Sequence, residues 1–382
     1  TKFYNYKSII MRPKVKKMIL FAIPMSICNL RCHYCYLAQR PEHYQGIQPT
    51  MKYSPEEVGK ALSIERCGGP CYLNFCADGE TLLLKDLDKY VYELVKQGHF
   101  AEIITNCLIT PVLERILAWP ADLLARIEFK CSFHYLELKK HGKLQLFADN
   151  VNKIFRSGAS ANIEITPSDE LVPYIDEVKN FSIRNWGALP HITIARDDNS
   201  VGIDYLTNLP MDEYDHIWGS FDSDFWKFKK SIFGKKQKKF CYAGAWSYYV
   251  DLSTGEYKRC YCGPILGDLF AKEYIDQPLP ESPIGRCNLP HCYNGHMFLT
   301  LGLIPRHNKV RYGDLRNRVR PDGTQWLQPQ LMEFFNSKLE ESNSELPLMY
   351  RMKYNAFVNA AEARLKIRSW LAAGLKKVIG KK

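Results

Sequence analysis

The chain has 382 residues, 46% of them hydrophobic, which is enough for a full-sized buried core. No continuous apolar run approaches the roughly 18 residues of a membrane span, which argues against a transmembrane helix. The apolar stretch 18–23 is too short for a secretory signal, so we expect a cytoplasmic protein, and the net charge of +11 favours acidic partners without defining a function.

Short β-rich runs alternate with amphipathic helical patterns between residues 18 and 196. The predicted strands are 18–23, 71–75, 101–105, 127–133, 162–166 and 191–195, and the predicted helices are 54–66, 84–98, 111–119, 143–158 and 171–183. Ser54-Pro55 and Thr110-Pro111 each place a polar N-cap before a proline at the first helical position. Six strand–helix units predict an α/β fold, a partial (β/α)6 TIM-like barrel that binds ligands at the carboxyl ends of its strands.

The remaining chain divides by composition. Residues 197–240 show no clear period and are interpreted as a connecting or lid segment, residues 241–300 carry a second cysteine group, and residues 301–382 are helical with a basic end. In that end, apolar residues recur at 363, 367, 370, 371, 375 and 378 among lysines and arginines. Such a helix either lies on an anionic membrane surface as a peripheral contact or packs its apolar stripe on the barrel.

Thirteen cysteines in a chain without an export signal indicate metal ligation rather than disulfides. Three of them, Cys28, Cys32 and Cys35, form a C-x3-C-x2-C run directly after the first predicted strand. Three thiolates on one loop can hold three irons of a 4Fe-4S cubane and leave the fourth iron open. The alternative is zinc, which needs a fourth ligand that His33, lying between two of the cysteines, could hardly supply.

With Tyr34 at the aromatic position, this run resembles the signature of the radical S-adenosylmethionine (SAM) superfamily. The resemblance implies that the amino and carboxyl groups of SAM bind the open iron. It further implies that an electron from the reduced cluster cleaves SAM to methionine and a 5′-deoxyadenosyl radical, which abstracts hydrogen from a substrate C–H bond. An external electron donor such as flavodoxin or ferredoxin, and anaerobic chemistry, are part of the same expectation.

Asp78-Gly79-Glu80, after the second predicted strand, looks like the superfamily's Gly-Gly-Glu motif for the methionine end of SAM. Asp78 stands where the first glycine is usual, and an ordinary Asp-Gly turn is the alternative. Asn106 and Ser132, at the third and fourth strands, are predicted contacts for the ribose or carboxylate of SAM.

No catalytic residue is assigned. His134, Arg196 and Asp197 merely follow predicted strands at suitable positions, where a structural role is at least as well supported.

The second cysteine group begins with a C-x13-G-x4-C pattern from Cys241 to Cys260, which resembles the opening of the auxiliary-cluster modules called SPASM and twitch. Within it, residues 250–258 predict a β-hairpin with a Ser-Thr-Gly turn. Adding Cys287 and Cys292 gives the four thiolates of one auxiliary 4Fe-4S cluster, with Cys262 competing for one place. A structural zinc held by four cysteines is the alternative.

The resemblance implies either oxidation or epimerisation of sugars and aminocyclitols, or modification of ribosomal peptides. Only 27 residues precede Cys28, too few for the peptide-recognition domain of many peptide-modifying relatives. We therefore expect a small polar or carbohydrate substrate, from a glycan pathway for example, and keep a peptide or protein maturase as the alternative. A zinc-stabilised nucleic-acid-binding module is the non-enzymatic alternative, and no specific nucleic-acid partner is expected.

Overall fold

A computed structural model describes residues 12–39, 46, 48–200, 203–293 and 295–379. The strands are β1 (Lys17–Ile23), β2 (Cys71–Ala77), β3 (Phe100–Thr105), β4 (Ile127–Ser132), β5 (Ser160–Ile165), β6 (His191–Ile192), β7 (Arg196–Asp197), β8 (Asp204–Tyr205), β9 (Phe240–Cys241), β10 (Ser247–Asp251), β11 (Glu256–Lys258), β12 (Gly267–Asp268) and β13 (Gly285–Arg286). The helices are α1 (Tyr36–Gln39), α2 (Pro55–Ala61), α3 (Ile64–Cys67), α4 (Leu87–Lys96), α5 (Thr110–Leu117), α6 (Ala121–Leu124), α7 (Tyr135–Lys140), α8 (Leu144–Ser157), α9 (Ile175–Trp186), α10 (Met211–Gly219), α11 (Asp224–Ile232), α12 (Gly295–Thr300), α13 (Tyr312–Arg316), α14 (Pro329–Asn336) and α15 (Leu348–Ile379).

One nine-stranded sheet organises the chain, in the order β12-β11-β10-β1-β2-β3-β4-β5-β6. Strands β1 to β6 are parallel neighbours in sequence order with helices between successive strands, so the predicted partial (β/α)6 barrel is confirmed. The sixth strand is shorter than predicted: it pairs with β5 over His191 and Ile192, and the chain then turns into the β7–β8 hairpin.

Of the two predicted N-caps, Ser54 is confirmed and Thr110 is not. Ser54 caps α2 with the full capping box, in which Glu57 reaches back to the Ser54 backbone. The predicted helix 54–66 is split, because the Ser63 side chain caps a separate helix α3. Thr110 is the first residue of α5 rather than its N-cap, and its hydroxyl accepts a hydrogen bond from Asn150 instead.

The two faces of the sheet bury different partners. Alternate strand residues such as Ile19 and Leu73 pack with the helices in the larger core, whereas Met18 and Tyr72 face a second core. Half of the buried residues of that second core lie in 297–339, including Phe334, whose ring stacks on Phe100 at 3.8 Å. The C-terminal part of the chain therefore covers one face of the sheet.

A buried ionic group fixes this C-terminal part on the strands. Arg316 has no exposed side-chain surface and lies 2.9 Å from Glu128 of β4 and 3.3 Å from Glu102 of β3. It also pairs with Glu164 of β5. Removing one member of such a group would leave an uncompensated buried charge, so the group ties three strands to α13.

Segments after residue 196 are more regular than the sequence suggested. The predicted connecting segment 197–240 contains the β7–β8 hairpin and helices α10 and α11. The hairpin predicted over 250–258 is confirmed, with β10 and β11 antiparallel. Because β10 also pairs with β1 in parallel, the second cysteine group is attached to the main sheet, and its boundary as a separate module stays a prediction.

The predicted terminal helix is present as α15, and Ile367 on it is 58% exposed. The side chains at 370, 371, 375 and 378, on which the apolar stripe also depends, lie outside the described residues. Among the helices described, none is long and apolar enough to span a bilayer.

Candidate active site

The loop with Cys28, Cys32 and Cys35 leaves the carboxyl end of β1 and leads into α1. Cys32 is buried, and the other two cysteines are half-buried. Burial raises the pKa of the Cys28 thiol, and the charges of Glu80 and Cys35 raise it further. Burial likewise raises the pKa of Cys32, as do the charges of Cys35 and Cys28. The three thiols are therefore near enough for their charges to act on one another, as three ligands of a single cubane would be.

Hydrogen bonds tie this cysteine loop to the ends of four neighbouring strands in turn. After β2, the Asp78 carbonyl oxygen accepts from Tyr36 Oη (2.8 Å), and after β3, Asn106 Nδ2 donates to Asn29 Oδ1 (2.7 Å). After β4, His134 Nδ1 is hydrogen-bonded to Tyr34 Oη (2.7 Å), and after β5, Glu170 Oε2 is hydrogen-bonded to His33 Nε2 (2.7 Å). Parallel strands end at one common edge, so the cysteine loop crosses the edge at which barrel folds bind their ligands.

His134 is part of this anchorage. Desolvation lowers the pKa of its imidazole to about 4, so the ring is neutral near pH 7. Its Nδ1 is engaged with the hydroxyl of Tyr34, the residue at the aromatic position of the cysteine run. The structure thus gives His134 a positioning role beside the cysteine loop.

The Asp78-Gly79-Glu80 segment runs against the chain that enters the cysteine loop. Its three backbone N–H groups donate to the carbonyl oxygens of Ile23 (3.3 Å), Met25 (2.7 Å) and Ile27 (2.8 Å), respectively. A Cβ on Gly79 would lie 2.1 Å from the Ile27 carbonyl oxygen. Glycine is needed here because two backbone segments meet, with no room for a side chain between them. The resemblance to a SAM-binding motif did not predict this packing reason for the glycine.

Glu80 is 3% exposed and accepts three hydrogen bonds. Its Oε1 accepts from the Thr105 hydroxyl (2.5 Å) and the Leu82 N–H (3.0 Å), and its Oε2 accepts from the Asn106 N–H (2.7 Å). Burial raises the pKa of Glu80, while these hydrogen bonds lower it. A carboxylate offers about four acceptor positions, so one position remains for a further donor such as an ammonium group.

Asn106 and Ser132 both lie at this edge. Asn106 is buried; its amide donates to Asn29 and its side-chain oxygen accepts from the Leu108 N–H at 3.2 Å. The side chain of Asn106 therefore holds the cysteine loop. Ser132 is the half-buried last residue of β4.

The four cysteines predicted for the auxiliary cluster line one small, mainly apolar cavity. The cavity is bounded by Cys241, Cys260, Cys287 and Cys292 together with Gln237, Tyr261, Ile284, Leu289, His291, Tyr293, Phe298 and Ile304. Burial raises the pKa of Cys241 to about 12, helped by the charges of Cys260 and Cys287. Cys262, the competitor, is exposed and lines the neighbouring larger cavity, although its charge still raises the pKa of Cys260.

Thiol spacing bears on the choice between a cubane and a zinc site. In the described ranges, one group of three potential ligand atoms lies within 4.8 Å of one another, Cys67 with Cys71 and His99. Tetrahedral zinc draws its thiolates close at Zn–S distances of about 2.3 Å, whereas a cubane places each thiolate on a different iron. Among the described residues, neither predicted cysteine set has three sulfur atoms as close together as that group, and both sets consist of thiols, the ligands that iron–sulfur clusters use.

The closely spaced group itself is not a metal site. His99 Nδ1 accepts from the Cys71 N–H at 2.9 Å, and His99 Nε2 is bonded to the Leu62 carbonyl oxygen at 2.6 Å. Both ring nitrogens are therefore engaged with the backbone. Burial lowers the pKa of His99 to about 4, in keeping with a neutral ring in the core.

A cavity of about 450 Å³ adjoins the auxiliary cysteines. Its lining is Lys130, Thr193, Ile194, Arg196, Lys229, Ile232, Phe233, Tyr261, Cys262, His291, Cys292, Tyr293, Gly295 and His296. Cys292 lines both cavities, so the larger one lies directly beside the predicted auxiliary ligands. Arg196 belongs to this wall, whereas Asp197 lines a different cavity.

Sequence reasoning missed most of this wall. Lys130 was a usable signal, because it is a lysine within the largely buried strand β4. Lys229 fell in the segment without a clear period, and nothing local distinguishes His296, so neither could be found from the sequence.

No protein-family model and no curated protein matches the chain. Among solved structures, it is similar to SuiB of Streptococcus suis bound to S-adenosylmethionine, with 15% identity, a TM-score of 0.44 and coverage of 70% of this chain and 67% of that chain. It is similar to a tagged form of anSMEcpe with bound AdoMet, with 16% identity, a TM-score of 0.48 and coverage of 68% and 77%. It is also similar to BtrN in complex with AdoMet and 2-DOIA, with 14% identity, a TM-score of 0.29 and coverage of 69% and 82%.

Proposed function

We propose that the chain is a radical SAM enzyme that oxidises or epimerises a small polar or carbohydrate substrate. Cys28, Cys32 and Cys35 would hold the SAM-binding 4Fe-4S cluster. Cys241, Cys260, Cys287 and Cys292 would hold one auxiliary 4Fe-4S cluster. Reductive cleavage of SAM to a 5′-deoxyadenosyl radical is the chemistry that the first cluster supplies when bound, with an external donor such as flavodoxin or ferredoxin.

The observation that carries this proposal is the position of the cysteine loop. It crosses the carboxyl edge of β2 to β5 and brings its thiols within electrostatic reach of one another and, for Cys28, of Glu80. A three-thiol site lacks a fourth protein ligand, so an exogenous group is needed to complete it. Such an arrangement is what SAM chelation requires.

The residues around the loop have distinct roles in this proposal. Glu80 would accept a hydrogen bond from the SAM ammonium at its remaining acceptor position. Asn106 and Tyr34 would act through the loop they hold, and Ser132 would contact the ribose or carboxylate. Gly79 would keep the Glu80 segment in register with the loop.

The neighbouring cavity supports a small-molecule substrate. Its volume of about 450 Å³ falls within the roughly 300–1,000 Å³ typical of small-ligand sites, and its walls combine apolar side chains with a few charged ones. Because Cys292 lines it, a substrate bound there would lie next to the auxiliary cysteines. A substrate beside the auxiliary cluster could pass a second electron to that cluster, so this position favours net oxidation.

Metal analysis and a substrate screen test the proposal. Anaerobic reconstitution with iron and sulfide should give about eight irons per chain, as two cubanes require, whereas bound zinc would favour the non-enzymatic module. Deoxyadenosine formation should then rise on adding a peptide-free metabolite fraction. Stimulation by a precursor peptide alone would instead identify a maturase.

A further inference from the structure

Three cationic side chains from three different elements meet in the wall of the 450 Å³ cavity: Lys130 of β4, Arg196 of β7 and Lys229 of α11. We call them the cation cluster. Lys130 and Arg196 lie close enough to act on Lys229: desolvation lowers the pKa of Lys229 to about 7, the charges of Lys130 and Arg196 lower it further, and the charge of Glu164 opposes them.

Protein carboxylates neutralise only part of this charge. Lys130 Nζ lies 3.0 Å from Glu164 Oε2, but Glu164 is shared with Arg316. Lys229 donates to the Thr193 hydroxyl. Among the described residues, neither Lys229 nor Arg196 has a carboxylate within ion-pair distance. The cavity therefore carries an excess of positive charge.

His296 gives a second, independent indication of a ligand. Its side chain lines the same cavity, and the residue is only 6% exposed. Its Nε2 is buried and has no hydrogen-bond partner within the described part of the chain. A buried ring nitrogen left unpaired destabilises the fold, and a ligand oxygen in the cavity would remove that cost.

We propose that the cavity binds a phosphate group of a phosphorylated substrate, held by the cation cluster and by the Nε2–H of His296. This inference rests on the proposed function, since it names the class of substrate that the enzyme would take. A phosphate presents several acceptor oxygens and a double negative charge, which suits three converging cations better than a single carboxylate does. The apolar wall residues Ile194, Ile232 and Phe233 lower the polarity around the cation cluster, which strengthens these interactions.

The position of the cavity makes the binding useful for the reaction. Arg196 begins β7, four residues after β6 ends, and its carbonyl oxygen accepts a hydrogen bond from Gln39 Nε2 (3.0 Å) in α1, the helix that follows the cysteine loop; Cys292 lines the same cavity. A phosphate anchored there would fix the remainder of the substrate between the predicted SAM site and the auxiliary cysteines, which lowers the entropy cost of reaching the reacting geometry.

Binding of inorganic phosphate to the reconstituted enzyme, measured by anaerobic titration calorimetry at fixed ionic strength, tests this. Lys229→Met should weaken phosphate binding by about ten- to a hundred-fold, because one charge-assisted hydrogen bond is lost. Lys227→Met is the matched control: it removes a lysine from the same helix, but an exposed one paired with Asp222 and Asp224, and should leave binding unchanged.

Two further measurements keep the result decisive. Lys229→Arg retains the charge and should keep most of the phosphate affinity; if Lys229→Met fails to fold by circular dichroism, Arg196→Gln replaces it with the same expected loss. The inference is overturned if folded variants bind phosphate like the parent, or if acetate binds as tightly as phosphate. SAM cleavage is measured on the parent enzyme in parallel, so phosphate binding without SAM cleavage would refute the proposed function alone, and SAM cleavage without phosphate binding would refute this inference alone.

Discussion

Gly79→Ala inserts one methyl group where the segment after β2 meets the chain entering the cysteine loop. The new Cβ would lie 2.1 Å from the Ile27 carbonyl oxygen, 2.6 Å from the Ile27 carbonyl carbon and 2.9 Å from the Ser26 carbonyl carbon. All three are backbone atoms, so no side-chain rotation can relieve the overlap.

The size of the effect follows from these distances. Real Cβ atoms essentially never approach another heavy atom closer than 3.0 Å, so the two backbone segments must separate by about 0.9 Å. Overpacking of this kind costs about 1–3 kcal/mol. The displacement falls next to Cys28 and exceeds the roughly 0.5 Å tolerance of a preorganised site, so Cys28 would move relative to Cys32 and Cys35.

Iron content after anaerobic reconstitution measures whether the displaced Cys28 still allows the first cluster to bind. The Gly79→Ala variant should fall from about eight irons per chain to about four, because the auxiliary cysteines are untouched. Retained auxiliary-cluster absorbance separates this result from general unfolding. Gly219→Ala is the control, since its Cβ would meet only the Trp226 ring, at 3.6 Å, and it should keep all its iron. A Gly79→Ala variant with full iron content and SAM cleavage would refute the reasoning.

Four other outcomes are expected. Glu80→Gln places an amide N–H against a backbone N–H or hydroxyl that now donates to the carboxylate, which should cost about 1–3 kcal/mol of unfolding free energy and about ten-fold in SAM affinity. An unchanged thermal unfolding curve and an unchanged SAM affinity by titration calorimetry would contradict this. Cys287→Ala should reduce iron to about four per chain, whereas Cys262→Ala should leave about eight. The reverse result would show that Cys262, and not Cys287, is a ligand of the auxiliary cluster. The affinity of the 450 Å³ cavity for sulfate, used as a second tetrahedral anion, should fall as pH rises from about 6 to about 8, because Lys229, with its pKa lowered to about 7, loses its charge over that range. A sulfate affinity that does not change with pH would exclude Lys229 as the titrating group. Deleting residues 363–382 should abolish sedimentation with anionic liposomes if α15 makes a peripheral membrane contact, and retained binding would remove that role from the tail.

Local periodicity predicted the sheet well because β1 to β5 are short apolar runs separated by helical patterns, and parallel pairing of such runs follows from their connections. The partial barrel was therefore accessible from the sequence. The cysteine loop was accessible too, since its spacing and its place after β1 are local properties.

Long-range packing was not accessible. Arg316 pairs with Glu164 across 152 residues, and the resulting cover on one face of the sheet has no local signal. The same holds for the cation cluster, whose members are brought together only by the fold. Spacing favoured Cys241, Cys260, Cys287 and Cys292 over Cys262, but it carried no signal that Cys262 is exposed and lines the neighbouring cavity, because that depends on the fold.

Cleavage of SAM by the reduced, reconstituted enzyme is the measurement that tests the central claim most directly. Incubation with SAM and a strong reductant under anaerobic conditions should release 5′-deoxyadenosine, and a Cys32→Ala variant, which lacks one thiol of the three-cysteine loop, should release none. A reconstituted enzyme that carries both clusters and forms no deoxyadenosine, or a Cys32→Ala variant that forms as much as the parent, would contradict the account.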